Sequence, residues 1–363
     1  MSTNQLPSHV YVGTYTIWPS APVPAEGIYL YRLDPQNGGL TLSGVTAGVV
    51  NPSYLALAPG QRYLYAVNEV GELAGQAGGG ISAFAVDSTT GALTYVNRQS
   101  THGVDPCHVS VDSTGRWVGV ANYTSGSIAL FAVGGNGEVL PASDFHQHVG
   151  GSILRRQAGP HAHSINLDPG NRFAIVCDLG LDQVLTYQLD RERGKLVKVA
   201  DVSVAPGSGP RHFTFHPDGR HAYLINEISS TVTAFTYDAA TGQLNPLQTV
   251  STLPTDFVGS NSTADIHVHP NGKFLYGSNR GHDSIAIFAI DVATGELTPV
   301  GHESTRGHTP RNFAIDPTGT FLLAANQDTG NVAAFRVDPN RGTLTLSAES
   351  TVPTPVCLKF AWF

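Results

Sequence analysis

The chain reads as an all-β protein, a seven-bladed β-propeller of 363 residues. Three observations predict it. A segment recurs along the chain at a spacing of roughly 45–55 residues. Each copy consists of short apolar runs separated by turn residues. The two ends of the chain together supply the pieces of one further copy. Residues 210–234, PRHFTFHPDGRHAYLINEISSTVTA, and 310–334, PRNFAIDPTGTFLLAANQDTGNVAA, show the repeat plainly, and other copies begin at Pro52, Pro106, Pro160 and Ala264.

Each copy reads as four strands. In the copy at Pro210, Phe213 and Phe215 alternate with polar residues, the pattern of a half-buried strand. HPDG then turns the chain, with Gly219 able to take positive φ. The apolar run HAYLI suits a second strand buried between neighbouring blades. VTAFTYD is the third strand, and DAATGQL is the hairpin into the outer fourth, repeated as DVATGEL (291–297) and DSTTGAL (87–93). At the N-terminus, HVYVGTY (9–15) matches a second strand and GIYLYRLDPQNGGLTL (27–42) a third and fourth. The tail VCLKFAWF matches a first strand, so both ends are expected to share one blade and leave no open edge. Blades cannot bury their faces alone, so residues 1–363 are expected to form a single domain. Two insertions break the period: GELAGQAGGG (71–80), expected as a mobile Gly-rich loop, and DFHQHVGGSILRRQAG (144–159), read as a loop that either lies on the surface or covers a site.

The formal charge of −8 and the four lysines argue against nucleic acid or an anionic membrane as partner. Three widely spaced cysteines, Cys107, Cys177 and Cys357, form neither a disulfide framework nor a metal knuckle and fit a reducing, cytoplasmic compartment. The stretch MSTNQLPSHVYVG shows no leader pattern, and no segment approaches the roughly 20 apolar residues of a membrane helix. A monomer is expected.

In a propeller the first strands line a central channel whose mouth receives their N-terminal ends. Aligning the copies on the turn glycine, or the residue in its place, puts Ser53, Cys107, His163, Arg211, Ala264 and Arg311 at the mouth. The next position gives Tyr54, His108, Ser164, His212, Asp265 and Asn312. The ends of the second strands add Glu69, Tyr123, Asp178, Glu227, Arg280 and Gln327, most preceded by a recurring asparagine. That asparagine, at Asn68, Asn122 and Asn326, is expected to be a turn residue that tolerates the left-handed region or bonds its own backbone. Residues that vary at equivalent positions are the functional candidates: Glu69, Glu227 and Arg280 in one ring, His163, Arg211 and Arg311 in the other. Guanidiniums recognise carboxylate or phosphate in a bidentate manner, and a glutamate can act as general base, so the set suits a small anionic substrate. The plainer reading of Arg211 and Glu227 is an ion pair within one blade. The pairs His161/His163 and His267/His269 could ligate a metal, but no acidic residue accompanies either in sequence, and no metal is expected. Neither a G-x-S-x-G elbow nor a P-loop occurs.

The stretches RRQAGPHAHS (155–164), GPRHFTFHPDG (209–219), AYLINEISSTV (222–232) and ADIHVHPNGKFLYGSNRGHDSIAIF (264–288) resemble hallmark segments of the seven-bladed propeller lactonases. That family includes the propeller-type bacterial 6-phosphogluconolactonases and the fungal carboxy-muconate cyclases, and the resemblance covers essentially the whole chain. It implies a metal-independent lactonase without cofactor, acting on a sugar lactone, foremost 6-phospho-D-glucono-1,5-lactone of the pentose phosphate pathway. It places the catalytic set on His163, Arg211, Glu227 and Arg280, with Glu227 or His163 as the base. His161, Arg311, Asp265, His108, Glu69 and Arg156 are the expected substrate-binding residues. Another aldonolactone, a muconate-type cyclisation and a non-catalytic binding scaffold are the alternatives.

Overall fold

The computed structural model describes residues 6–20 and 23–363. The first five residues of the stretch expected to lack a leader lie outside the described residues. The chain is all-β, with seven four-stranded antiparallel sheets, a two-stranded hairpin and one turn of 3-10 helix at Arg155–Gln157 among the described residues. Seven sheets match the seven expected blades. No helix among the described residues is long and apolar enough to cross a membrane.

Two compact units divide the chain, one of Met1–Gly48, Thr214–Thr236 and Pro246–Phe363, the other of Val49–Phe213 and Tyr237–Asn245. The first unit holds the sheet shared by the two ends. Its order runs Leu40–Ala47, Gly27–Leu33, His9–Thr14, Pro355–Ala361, with Val10 opposite Phe360 and Val12 opposite Leu358. The same unit contains the sheets of residues 262–304 and 310–351. The second unit holds the sheets of residues 55–100, 106–147 and 162–203.

The burial follows position within each sheet. Second strands such as Trp117–Asn122, Phe173–Asp178 and Phe321–Asn326 are buried throughout, as expected of strands covered on both faces. Outer strands such as Leu297–Ser304 alternate, with one face in water. The first strands depart from the expected half-buried alternation. In Pro210–Phe215 the polar Arg211 and His212 are buried with Phe213, whereas Phe215 is half-buried. Their polar face turns to other protein groups instead of bulk water.

A latch recurs between successive sheets. A second-strand tyrosine donates its hydroxyl to the carbonyl of the next sheet's hairpin glycine: Tyr65 to Gly137 (3.1 Å), Tyr223 to Gly295 (3.0 Å) and Tyr276 to Gly342 (2.8 Å). Gly295 has φ +78°, and a Cβ there would lie 2.3 Å from the His221 ring, so both conformation and space require glycine.

Both insertions are more ordered than expected. Residues 71–80 contain a two-stranded hairpin, with Glu72 opposite Ala77 and Leu73 opposite Gln76. The first four residues of 144–159 extend the outer strand Val139–Gln147, because residues 144–147 find ladder partners in Ser127–Leu130. The recurring asparagines also differ from expectation. None has positive φ, and their side-chain amides reach other segments. Asn122 donates to the Thr101 carbonyl (3.3 Å), Asn279 to that of Thr252 (2.8 Å) and Asn326 to that of Thr305 (2.7 Å). Each acceptor lies just past an outer strand, so the amide clips the crossover to the next sheet.

Candidate active site

In the first unit, Glu227 follows the strand His221–Asn226 and Arg280 ends the strand Phe274–Arg280. Their side chains form an ion pair, Arg280 Nη2 to Glu227 Oε2 at 3.1 Å, with the Glu227 carboxylate 3% and the Arg280 side chain 13% exposed. Thr263 fixes the geometry. Its amide donates to the Glu227 carbonyl (3.1 Å), its hydroxyl to the Asn226 carbonyl (2.9 Å), and its own carbonyl accepts from Arg280 Nη2 (2.7 Å). A carboxylate removed from water is costly unless paired, and this pairing keeps it in place as a preorganised charge.

The other predicted residues of this unit are placed as follows. Asp265 is buried, and its carboxylate accepts from the Asn312 amide, the Ile266 N–H (3.0 Å) and His267 Nε2 (3.1 Å). Asn312 in turn accepts from the Leu358 amide (2.8 Å), tying in the C-terminal strand. The reading that no acidic residue accompanies the His267/His269 pair is thereby corrected: Asp265, two residues before His267 on the same strand, meets its Nε2. His269 faces elsewhere, with Nε2 donating to the Gly319 carbonyl (2.9 Å). Arg311 lies over the Tyr15 ring, 5.3 Å from its centroid, and Tyr15 stacks on Trp18.

In the second unit, residues of the two aligned rings meet across repeats. His212 lies edge-on to His163, to His108 and to Tyr54, with centroid separations of 5.4, 5.4 and 5.7 Å. Tyr54 packs against His108 at 4.3 Å, and Tyr123 against His163 at 5.2 Å. Cys107 Sγ lies 3.7 Å from His163 Nδ1. Arg211 is among the largest fully buried side chains. Glu69 shares a short hydrogen bond with the Ser53 hydroxyl and also accepts, through its carbonyl, from Asn51 (3.0 Å). His161 stacks on Tyr123 at 4.7 Å and bonds its backbone carbonyl through Nδ1 (3.0 Å), while Arg156 grips the Tyr123 hydroxyl through Nε (3.0 Å) and Nη2 (2.8 Å). His212, Tyr54 and Tyr123 were present in the aligned rings yet not singled out. Their lateral packing is a contact between repeats, which alignment of one repeat on another does not display.

His216, Asp218 and His221 each offer one ligand atom within 4.8 Å of the others, the arrangement among the described residues that could take a metal ion. The plain chemistry is a turn. His216 Nε2 donates to the Gly272 carbonyl (2.8 Å), and its Nδ1 lies 3.0 Å from the Asp218 carboxylate and 3.2 Å from the Asp218 amide nitrogen. The His269 turn repeats the carbonyl and amide contacts with Asn271 in the aspartate's place.

The first unit thus holds a buried carboxylate–guanidinium pair, and the second holds buried imidazoles and a buried arginine. The family model "Lactonase, 7-bladed beta-propeller" matches residues 9–360, and the chain belongs to that family. It is 40% identical over 351 residues to a 6-phosphogluconolactonase of Bacillus subtilis, covering 96% of this chain and 97% of that one. A 6-phosphogluconolactonase of Formosa agariphila is 39% identical over 85% of this chain and 86% of its own. Among solved structures, the periplasmic gluconolactonase of Pseudomonas aeruginosa superposes with a TM-score of 0.91 at 34% identity, covering 97% of this chain and 98% of that one.

Proposed function

We propose that this protein is a carboxylic ester hydrolase that opens a sugar lactone, with 6-phospho-D-glucono-1,5-lactone as its substrate and no metal in the chemistry. The observation that supports it most is the buried Glu227–Arg280 pair, locked by Thr263, in a chain of the lactonase family. Water attacks the lactone carbonyl carbon, and Glu227 takes its proton as general base. The carbonyl oxygen becomes an oxyanion, and a preorganised guanidinium is the donor suited to it, a contribution typically worth about 10²–10³ in rate. Arg280 supplies that charge while holding Glu227 in place. The intermediate collapses with cleavage of the bond to the ring oxygen, which takes the proton back from Glu227, and the carboxylic acid so formed releases its remaining proton to water, leaving a carboxylate and a free hydroxyl. The roles of Arg211 as oxyanion donor and of His163 as alternative base rest on the repeat register and the family resemblance.

Replacing Glu227 by Gln keeps the volume and hydrogen-bonding capacity and removes the base. Lactone hydrolysis, corrected for spontaneous opening, is expected to fall about 10²–10⁴-fold in kcat, with the circular dichroism spectrum unchanged. Turnover close to the parent rate would remove Glu227 from the mechanism.

A further inference from the structure

At one position the repeats agree on an aromatic ring, and a single copy departs. The turn between first and second strands runs APGQRY (58–63), DSTGRW (112–117), DPGNRF (168–173), HPDGRH (216–221), HPNGKF (269–274) and DPTGTF (316–321). Its last residue is Tyr63, Trp117, Phe173, Phe274 or Phe321 in five copies and His221 in the other. The place receives a ring that packs on a hairpin glycine. A Cβ on Gly137, Gly194, Gly242 or Gly342 would meet Tyr63, Trp117, Phe173 or Phe274, as one on Gly295 would meet His221. The third residue of the turn departs in the same copy. It is Gly60, Thr114, Gly170, Asn271 or Thr318 elsewhere and Asp218 here. A carboxylate and an imidazole thus enter one turn together, beside the imidazole of His216.

The backbone of the turn does not require the two rings. In three other copies a leading aspartate accepts the amide of the last residue: Asp112 from Trp117 (2.9 Å), Asp168 from Phe173 (2.7 Å) and Asp316 from Phe321 (2.6 Å). Asp218 takes over that task, accepting from the His221 amide (3.2 Å) and the Arg220 amide (2.8 Å). The imidazoles are additional. Because His216 Nε2 donates to the Gly272 carbonyl, Nδ1 of the neutral ring carries a lone pair. That atom lies 3.0 Å from one Asp218 oxygen, and His221 Nδ1 lies 2.8 Å from the other. A lone pair and a carboxylate oxygen so close repel unless a cation stands between them. A proton is one such cation, and a divalent ion is another that serves both rings at once. A ring nitrogen held by a backbone carbonyl is also the outer support that metal-ligating histidines have.

We infer that His216, Asp218 and His221 bind a divalent transition ion of the zinc class, which ties the end of Pro210–Phe215 to the start of His221–Asn226. Two imidazole nitrogens and one carboxylate oxygen suit such an ion, whereas Mg²⁺ and Ca²⁺ are held through oxygen. Tetrahedral ligands of zinc lie roughly 3.4 Å from one another. The three ligand atoms here lie within 4.8 Å, so small side-chain shifts close the set. His216 and His221 are buried, and the Asp218 side chain, 18% exposed, gives the approach from water. The Arg220 guanidinium, 3.6 Å from Asp218, is mostly exposed and can turn away. The ion has a structural part and none in the proposed lactone chemistry, so the inference stands apart from the lactonase reading.

The test uses the chelator-stripped full chain and its His221→Phe and Asp218→Asn variants. Each substitution copies another repeat, Phe274 for the first and Asn271 for the second, so the fold is expected to hold, as circular dichroism will show. Calorimetry reads Zn²⁺ and Mg²⁺ binding, the visible spectrum reads Co²⁺, and melting reads the rise in Tm with Zn²⁺. The parent should bind one Zn²⁺ and no Mg²⁺, give Co²⁺ the intense visible bands of a four-coordinate site, and melt higher with Zn²⁺. In each variant Zn²⁺ affinity is expected to fall by at least the about 10–100-fold that loss of an outer-shell partner costs, and the rise in Tm to vanish. Absence of stoichiometric Zn²⁺ binding by the parent overturns the site. Affinity unaltered in either variant also overturns it, because the ion then sits on other histidines. Equal binding of Mg²⁺ overturns the choice of ion. Should one variant not fold, the other decides.

Discussion

Asp218 shows how far a single side chain can be committed to local structure. Burial works against its charge, but the Arg220 amide and the His221 and His216 rings outweigh it and hold the carboxyl well below the usual carboxylate range. The HPDG motif was legible as a turn because its residue types carry their own turn chemistry. The two histidines on its carboxylate were not, because His221 belongs to the next strand and looks like part of its apolar run. A carboxyl depressed in the folded state contributes stability above its unfolded value near 3.9, and that contribution is lost as pH falls through the folded value. Asp218→Asn should therefore lower Tm at pH 7, and the gap to the parent should shrink progressively below about pH 4. A gap that is constant with pH would mean that the charge contributes nothing. The Glu227–Arg280 pair is the opposite kind of residue-scale feature. Both members were legible as residues that break the pattern of their repeat positions, whereas their pairing with each other was not, since it joins successive sheets.

At the scale of elements, the strand order of every sheet was legible from apolar periodicity and turn residues, including the blade built from both ends. The crossovers between sheets were not. They are held by the asparagine amides, whose acceptors lie 21 to 27 residues away in sequence. Asn279 is the fullest case. It donates to the Thr252 carbonyl and accepts from the Thr252 hydroxyl (2.7 Å) and the Asn261 amide (3.1 Å). Its replacement by Ala orphans buried groups, each costing about 1–3 kcal/mol. Chemical denaturation of Asn279→Ala should show a stability loss of at least that size with little change in m-value. A loss within error would return the asparagine to the role of a simple turn residue. The 144–159 insertion was read as a loop of uncertain purpose for the same reason: its anchors, Asp178 and Asp182, belong to the following repeat.

At the scale of the whole molecule, the seven-bladed fold was legible because repetition multiplies weak local signals, and the lactonase family because four stretches resemble its hallmark segments. The sheet completed by Pro355–Ala361 gives this scale its own test. Removing residues 355–363 strips six cross-strand partners from His9–Thr14 and leaves Val10 and Val12, both fully buried, on an open edge. The truncated chain is expected to aggregate or to melt well below the parent, and adding the missing strand as a peptide should partly restore it. A truncated chain as stable as the parent would contradict the closed arrangement. Single-domain behaviour of residues 1–363 is a proposal at this scale too. The strands Pro210–Phe215, Thr231–Asp238 and Gln243–Ser251 each contribute residues to both compact units, so a single unfolding transition is expected.

The most direct measurement is hydrolysis of freshly prepared 6-phosphogluconolactone, coupled to 6-phosphogluconate dehydrogenase, with and without chelator and beside unphosphorylated gluconolactone. A rate well above spontaneous opening, unchanged by chelator and strongly favouring the phosphorylated lactone, is the predicted result. Loss of activity on chelation would move the chemistry to a metal and make the His216–Asp218–His221 turn its first candidate ligand set. No acceleration of either lactone would contradict the proposed reaction.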